Sequence, residues 1–411
     1  MTLAVCLWPW SEGILVGDAG SPLDLSFYSP PRNYVLPPAT EQGPRNVILF
    51  IGDGMGFGQV TVARIRAGGP DCRLWMDTMP VTGIVLTHSA NSLVTDSAAA
   101  STAMACAIKT NNNMIGRDPN TQYRSILEAA RQMGLRTGLV VTKSITDATP
   151  AGFASHVRHR DMQAVIAVQL LAARPDVLLG GGKAYFLPRG VSGSKRRDRR
   201  DLFEEARRAG YSYIEDLSQA GECYHMLLGL FAMDAMTTKT PEPSIAQMTS
   251  VAIQVLDASR DCNGVSIDRP GFFLMVEGSQ IDTACHNNDL NQMVRQLLLF
   301  DMAIKVGLEF AASDGRTLVL VTADHETGGL QIIPPPSKSG TSDEDEIQPT
   351  RQLHVVWTNK AHTGLPVPLY AYGPRAILFT GLLDNTQIPK RLCQLLGIGP
   401  VPAPLQLVSS P

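Results

Sequence analysis

From Asn46 onward the chain alternates short apolar runs with stretches in which apolar residues recur every three or four positions. The short runs are Val47–Ile51, Gly83–Thr87, Thr137–Val141, Val177–Leu179, Phe272–Val276 and Thr317–Thr322. They are rich in Val, Ile, Leu and Phe and show no alternation with polar residues, so they predict strands buried on both faces, as in a mostly parallel sheet. The longer stretches predict helices over Ser97–Ile108, Ile126–Met133, Met162–Ala173, Ile245–Ala258 and from about Asp289 to Ala312. Strands and helices taken in turn predict an α/β fold of three layers, α/β/α, with a large, mostly parallel central sheet.

The pattern fails at one end and at two interior points. Residues 1–43 are Pro-rich and irregular and predict an extension lying on the domain. The run RGVSGSKRRDRRD, Arg189–Asp201, predicts a solvated charged loop, and Pro334–Gln348, mixing Pro, Ser, Gly and acidic residues, a surface loop. There is no internal repeat, and residues 44–411 are expected to form a single catalytic domain.

Composition narrows the class. Charged residues make up 18% of the 411 and apolar residues 44%, which excludes a disordered or coiled-coil chain. A net charge of −3 gives no general attraction to nucleic acid, and no nucleic-acid partner is expected. The seven cysteines include no CxxC pair, and their odd number excludes a fully paired monomeric disulfide framework. No stretch approaches the roughly 20 apolar residues of a membrane span. The apolar run Leu3–Trp10 has no basic residue before it, so a secretory targeting segment is not evident.

The chemistry gathers where strands end. The strand in NVILFIGDGMG runs into Asp53 between two glycines, and in open α/β sheets ligands bind beyond the carboxyl ends of strands. Taken alone, Asp53 is better read as an ordinary turn aspartate. In VTDSAAASTAMACA, Ser97 precedes an Ala-rich helical run, a position where amide groups and the helix dipole favour an anion; an isolated Asp96-Ser97 pair would otherwise be an N-cap. DATPAGFASHVRHR offers Asp147, Thr149 and Arg160, whose guanidinium fork suits a phosphate, although most arginines form surface ion pairs. FFLMVEGSQIDTACHNND supplies Glu277, Asp282 and His286, the last two at i, i+4 and so on one face of a helical turn. LVLVTADHETGG ends in Asp324 and His325, and AHTG adds His362. Three histidines and several carboxylates at strand ends, with a serine at a helix start, are poorly explained by coincidence.

The motifs GDGMG, TDSAAAS, DATPAGFASHV, VEGSQID and TADHETGG, in that order, resemble the alkaline phosphatase family over about Asn46 to Gly373. LLGLFAMDAM and GFFLMVEGSQID look especially like eukaryotic, fungal vacuolar-type members, and the Cys/Ser-x-Pro-x-Arg nucleophile motif of related sulfatases is absent. The resemblance implies hydrolysis of small phosphate monoesters, over a broad substrate range, through a phosphoserine on Ser97, with Arg160 as phosphate clamp. It implies two zinc ions and one magnesium per subunit. Asp282, His286 and His362 would hold one zinc; Asp53, Asp324 and His325 the other; Asp53, Thr149 and Glu277 the magnesium. Asp96 and Asp147 would stand beside these groups without being ligands. A homodimer and an extracytosolic setting (vacuolar lumen, periplasm or outside the cell) are also implied.

Two positions depart from the family pattern. Thr283 follows Asp282 where many members place Lys or His near the phosphate, and Asp147 stands where some carry His, a choice usually read as favouring magnesium. Cys285, beside His286, is expected to be a packed thiol, and His156 a structural histidine.

Overall fold

The structure is a computed structural model that describes residues 14–16, 23–40, 42–219, 224–258, 271–334 and 353–405. Its centre is a ten-stranded sheet. In chain order the strands are β1 Asn46–Gly52, β2 Val81–Leu86, β3 Arg136–Ser144, β4 Val177–Gly181, β5 Ser212–Ile214, β6 Leu227–Leu230, β7 Phe272–Gly278, β8 Thr317–Thr322, β9 Val367–Tyr372 and β10 Gly381–Asp384. Across the sheet they lie in the order β10-β2-β9-β8-β1-β7-β3-β4-β6-β5. Only β9 runs antiparallel to its neighbours, β2 and β8; every other pairing is parallel. The fold is therefore the three-layer α/β/α arrangement that the alternating pattern predicts.

Each of the six predicted strands is present. Those at the centre, β1, β7 and β8, are buried at every residue, which is why they read as unbroken apolar runs. β2 differs from the expectation: its residues alternate in burial, with Ile84 and Leu86 exposed, because it lies next to the sheet's edge strand.

The helices pack in two sets. Ile245–Asp257, Leu290–Asp314 and Phe57–Gly68 form one; Ser97–Cys106, Ile126–Gln132, Ala148–Ala154 and Gln387–Leu396 form the other. The 25-residue helix Leu290–Asp314 shows why the period held: Leu290, Met293, Val294, Leu297, Leu298, Ile304, Leu308 and Ala311 are all buried on one stripe. Asp289 caps its start, accepting from the Gln292 amide at 3.0 Å, and Gly315 ends it at φ 68°. On its buried face Asp301 accepts from the Trp75 and Met76 amides and from the Tyr28 hydroxyl, at 2.8, 3.0 and 2.7 Å. The last bond ties the irregular segment before β1 to the core.

Register brings the strand ends together. Ile51 on β1 pairs with Glu277 on β7 and Thr322 on β8, and Glu277 pairs in turn with Val141 on β3. The residues just beyond these points therefore share one rim of the sheet. Two small antiparallel ladders stand over that rim. One pairs Glu326–Thr327 with His362–Thr363; the other joins Leu330–Ile332 to Val355–Trp357, which also pairs with Ile14–Val16. Of the loop predicted at Pro334–Gln348, only Pro334 falls among the described residues, as Cys6, Cys223 and Cys262 do not; the other four cysteines are free thiols. Among the described residues no helix is long and apolar enough to cross a membrane.

Candidate active site

Ser97 opens the Ser97–Cys106 helix, with Asp96 at the cap accepting from the Ala99 amide at 3.0 Å. The sequence SAAASTAMAC suits this place because its small side chains allow close approach on all sides, and every residue of the helix is buried. A Cβ on Gly152 of the neighbouring helix would lie 2.5 Å from Ser101 Oγ. Ser97 Oγ itself lies 3.2 Å from His325 Nε2.

His325 comes from the turn that leaves β8, and it is fully buried. Its Nε2 lies 3.1 Å from Asp324 Oδ2 and 3.7 Å from Asp53 Oδ1. Neither of those oxygens receives a hydrogen bond. The second Asp324 oxygen is engaged, accepting from the Gly54 and His325 amides at 3.1 and 2.9 Å. Gly54 is required here: its φ is +75°, and a Cβ would come within 2.9 Å of Asp282 Cα.

Asp282 and His286 share the short helix Gln280–His286, one turn apart as their spacing predicts, and His286 Nε2 lies 3.2 Å from Asp282 Oδ1. The ladder that pairs Thr327 with His362 brings the third member in from 76 residues beyond His286. His362 stacks on His325 with ring centroids 3.5 Å apart and places Nε2 3.6 Å from Asp282 Oδ1. Both rings are oriented from behind: His362 Nδ1 lies 2.9 Å from the Thr95 carbonyl and His286 Nδ1 2.6 Å from the Lys360 carbonyl. Donation to those carbonyls leaves both Nε2 atoms with lone pairs facing the same space.

Among the described residues two sets of donor atoms form, the atoms of each within 4.8 Å of one another: Asp282, His286 and His362 in one, and Asp53, Asp282 and His325 in the other. The first is the set the resemblance implies. In the second, Asp282 stands where Asp324 was expected, so Asp282 borders both positions, while Asp324 joins the site through its contact with His325. Glu277, near the end of β7, and Thr149, in the Ala148–Ala154 helix, are both buried, and Glu277 Oε2 receives no hydrogen bond.

The electrostatics match this crowding. Burial, with Asp282 and Asp324 adding to it, lifts Asp53 well above the ordinary carboxylate range. Burial pushes Glu277 up to about 8. Burial would also raise Asp282, but the Lys143 ammonium, His286 and His325 together outweigh it and hold the group well below that range. Burial and the neighbouring His325 bring His362 down to about 4. Negative charge exceeds compensation among these groups, which suits them to cations.

Lys143 is the residue that motif reading missed. It ends the apolar run of β3, and its Nζ lies 2.9 Å from Asp53 Oδ2 and 3.1 Å from Asp282 Oδ2. An ionisable residue closing a buried strand at the carboxyl rim was the available signal.

Arg160 pairs with Asp147 at 3.0 Å and Asp96 at 3.3 Å, with its side chain 24% exposed. Asp96 thus serves twice, capping the Ser97 helix and anchoring the arginine. Thr283 is exposed on the Gln280–His286 helix. Cys285 is buried, with its thiol pushed well up by burial. His156 contacts the Gly116 carbonyl at 2.8 Å and Glu128 at 2.9 Å, away from the donor sets.

Two buried carboxylate oxygens without hydrogen bonds, on Asp53 and Asp324, stand beside His325 Nε2, and a third lies on Glu277. That mixture of donors fits metal ions, zinc where nitrogen and carboxylate meet and a harder ion where oxygen alone is offered. Residues able to hold metal ions around a serine at a helix start are the arrangement of a metal-dependent hydrolase. The chain belongs to the alkaline phosphatase family, whose model matches residues 44–342 and 335–398. It is thereby a phosphoric monoester hydrolase.

It is 40% identical over 331 residues to the repressible alkaline phosphatase of Saccharomyces cerevisiae, covering 73% of this chain and 58% of the yeast protein. It thus spans little more than half of that relative. With alkaline phosphatase 3 of Bacillus subtilis it shares 34% identity over 428 residues, 86% of this chain and 89% of the other. A histidine-to-aspartate mutant of the alkaline phosphatase from the Antarctic bacterium TAB5, with Mg bound in its M3 site, superposes with a TM-score of 0.76 at 32% identity. The match covers 88% of this chain and all of that one.

Proposed function

We propose that the chain hydrolyses a broad range of small phosphate monoesters through a phosphoserine on Ser97, using two zinc ions and one magnesium. The observation that carries this reading is Ser97 Oγ at 3.2 Å from His325 Nε2, beside carboxylate oxygens left without hydrogen bonds. Asp282, His286 and His362 would hold one zinc, and Asp53, Asp324 and His325 the other. Asp53, Thr149 and Glu277 would hold the magnesium. When bound, zinc supplies positive charge that lowers the pKa of a coordinated oxygen and offsets negative charge as it develops.

The protein's own groups do the rest. The Ser97–Cys106 helix fixes Oγ at a helix start, where the dipole favours an arriving phosphoryl group. Asp96 and Asp147 hold the Arg160 guanidinium so that its fork is oriented before the substrate arrives. Ser97 Oγ attacks phosphorus in line. The Oγ–P bond forms as the bond from phosphorus to the substrate's alcohol oxygen breaks, and the alcohol leaves with the serine proton. Water then attacks the phosphoserine from the same side the alcohol left. The Oγ–P bond breaks, Ser97 regains a proton and phosphate departs.

The reading extends to a homodimer acting outside the cytosol, both drawn from the family resemblance; sedimentation and cell fractionation test them. The chemistry is tested by hydrolysis of a chromogenic phosphate monoester at alkaline pH. Activity that vanishes with chelator and returns with zinc supports the reading. No activity in the folded, metal-supplied protein overturns it.

A further inference from the structure

Lys143 stands among carboxylates in a way the reaction does not require. Its ammonium contacts Asp53 Oδ2 at 2.9 Å and Asp282 Oδ2 at 3.1 Å, and its side chain is 15% exposed. Asp147 and Glu277 face the same ammonium from the Ala148–Ala154 helix cap and from β7. One positive charge therefore serves four carboxyl groups, two of which it touches directly.

The backbone is shaped to deliver it. β3 pairs regularly with β4 as far as Val140–Leu179, then slips, so that Ser144 pairs with Gly181 and the intervening residues of β3 bulge. Bulges re-aim side chains at sheet rims. The strand is pinned on the other side by Ser279 and Thr142, whose amides and hydroxyls bond reciprocally at 2.9 and 3.2 Å. Glycine at 181 admits the backbone on two sides, since a Cβ there would lie 2.0 Å from the Asp234 carbonyl oxygen and 3.1 Å from that of Lys143. The lysine is thus held at its root while its ammonium reaches the site.

We propose that Lys143 is a tethered counter-cation that competes with a divalent ion for the Asp53 and Asp282 carboxylates. It holds these like-charged groups together before metal loads, and its ammonium must withdraw for the last ion to bind. The inference rests on the reading of Asp53 and Asp282 as ligands, and adds to it a control of metal affinity. Apparent affinity is lowered by the fraction of molecules in which the lysine has withdrawn, so removing the competitor strengthens binding. Removing it also leaves two buried carboxylates unpaired when no metal is present, which destabilises that state. The two effects have opposite signs, and a lysine that merely supports the fold would produce only the second.

The test compares wild type with Lys143→Met, and with Lys143→Gln should the first not fold. Equilibrium dialysis against magnesium and against zinc, with metal analysis, gives dissociation constants; thermal melts are run chelated and metal-saturated. The expected result is that the weakest-bound ion binds about tenfold or more tightly in the variant. The chelated variant should melt below chelated wild type, and the deficit should disappear on loading. Unchanged affinity, or the same melting deficit in both states, overturns the proposal. Full metal content in Asp282→Ala would overturn the ligand reading itself, and the competition with it, whatever Lys143 variants show.

Discussion

His286 and His362 point their Nε2 atoms at each other across 3.2 Å, each ring turned by a backbone carbonyl at its opposite nitrogen. Two facing lone pairs at that distance repel unless a proton or a metal cation lies between them. Asp282, with Oδ1 3.2 Å from one and 3.6 Å from the other, supplies the negative charge that such a cation requires.

His362→Ala is therefore expected to lose one zinc per chain while the fold survives, because the ladder through Thr363 still pairs with Glu326. Metal analysis after dialysis reads the loss; retention of the full metal complement would remove His362 from the site.

Ser97→Ala should abolish turnover, by on the order of 10³-fold or more, and leave metal content unchanged. The small side chain fits, since the helix beyond it is built of alanine and other small residues. Trapping with radiolabelled substrate provides the second readout: label should stay on the wild type and be absent from the variant.

Arg160→Ala should weaken phosphate inhibition by roughly 10- to 100-fold, the worth of a charge-assisted hydrogen bond or two. Arg160→Lys should recover charge but not the fork, and so only part of the affinity. An inhibition constant equal to wild type in the alanine variant would show that phosphate is bound without the arginine.

The His156–Glu128 contact carries a pH dependence that is separate from the metals. Burial opposes protonation of His156, but the hydrogen bond and charge of Glu128 together with the Gly116 carbonyl outweigh it, and the imidazole titrates above its ordinary value of 6.5. The folded state therefore holds this proton more tightly than the unfolded chain. The stability it contributes is complete below about pH 6.5 and lost as pH rises through the higher folded value. Relative to His156→Gln, wild type should have an advantage of roughly 1.5 to 3 kcal/mol at the acid end of a pH 6 to 9 series, shrinking upward. A difference that stays flat across the series would rule out this titration. Comparing the two proteins at each pH cancels the metal-linked changes they share.

The parts of this molecule that were legible in sequence are those where burial writes itself into composition. β1, β7 and β8 are enclosed on both faces, so their residues had to be apolar, and the first polar residues after them had to be at the rim. Asp53, Glu277 and Asp324 were visible for that reason. β9 was not, because Pro368 interrupts it; an antiparallel strand can carry a proline that a sequence reading counts against it. β5 and β6, three and four residues long, fall below what periodicity can resolve. Spacing placed Asp282 and His286 together because one helical turn connects them. It could not say that Asp282 also borders the Asp53 position, since that depends on which way a carboxylate faces. Lys143 was hidden for the same reason, its partners lying 90 and 139 residues away.

The two ladders above the rim have a consequence for how the chain tolerates change. Glu326–Thr327 grips His362–Thr363, and within that pair Leu330–Ile332 grips Val355–Trp357, with the Ile333 amide bonded to the His354 carbonyl at 3.0 Å. Ile333 and His354 are thereby tied together, so the chain between them starts and ends at one point, with His362 outside the knot. Lengthening a closed loop costs only about 0.6 kcal/mol for each doubling. Residues can be added there, even a whole foreign module, without tugging on the histidine that completes the site. It is the place to graft a reporter, and the place where evolution could lengthen this enzyme without disturbing its chemistry.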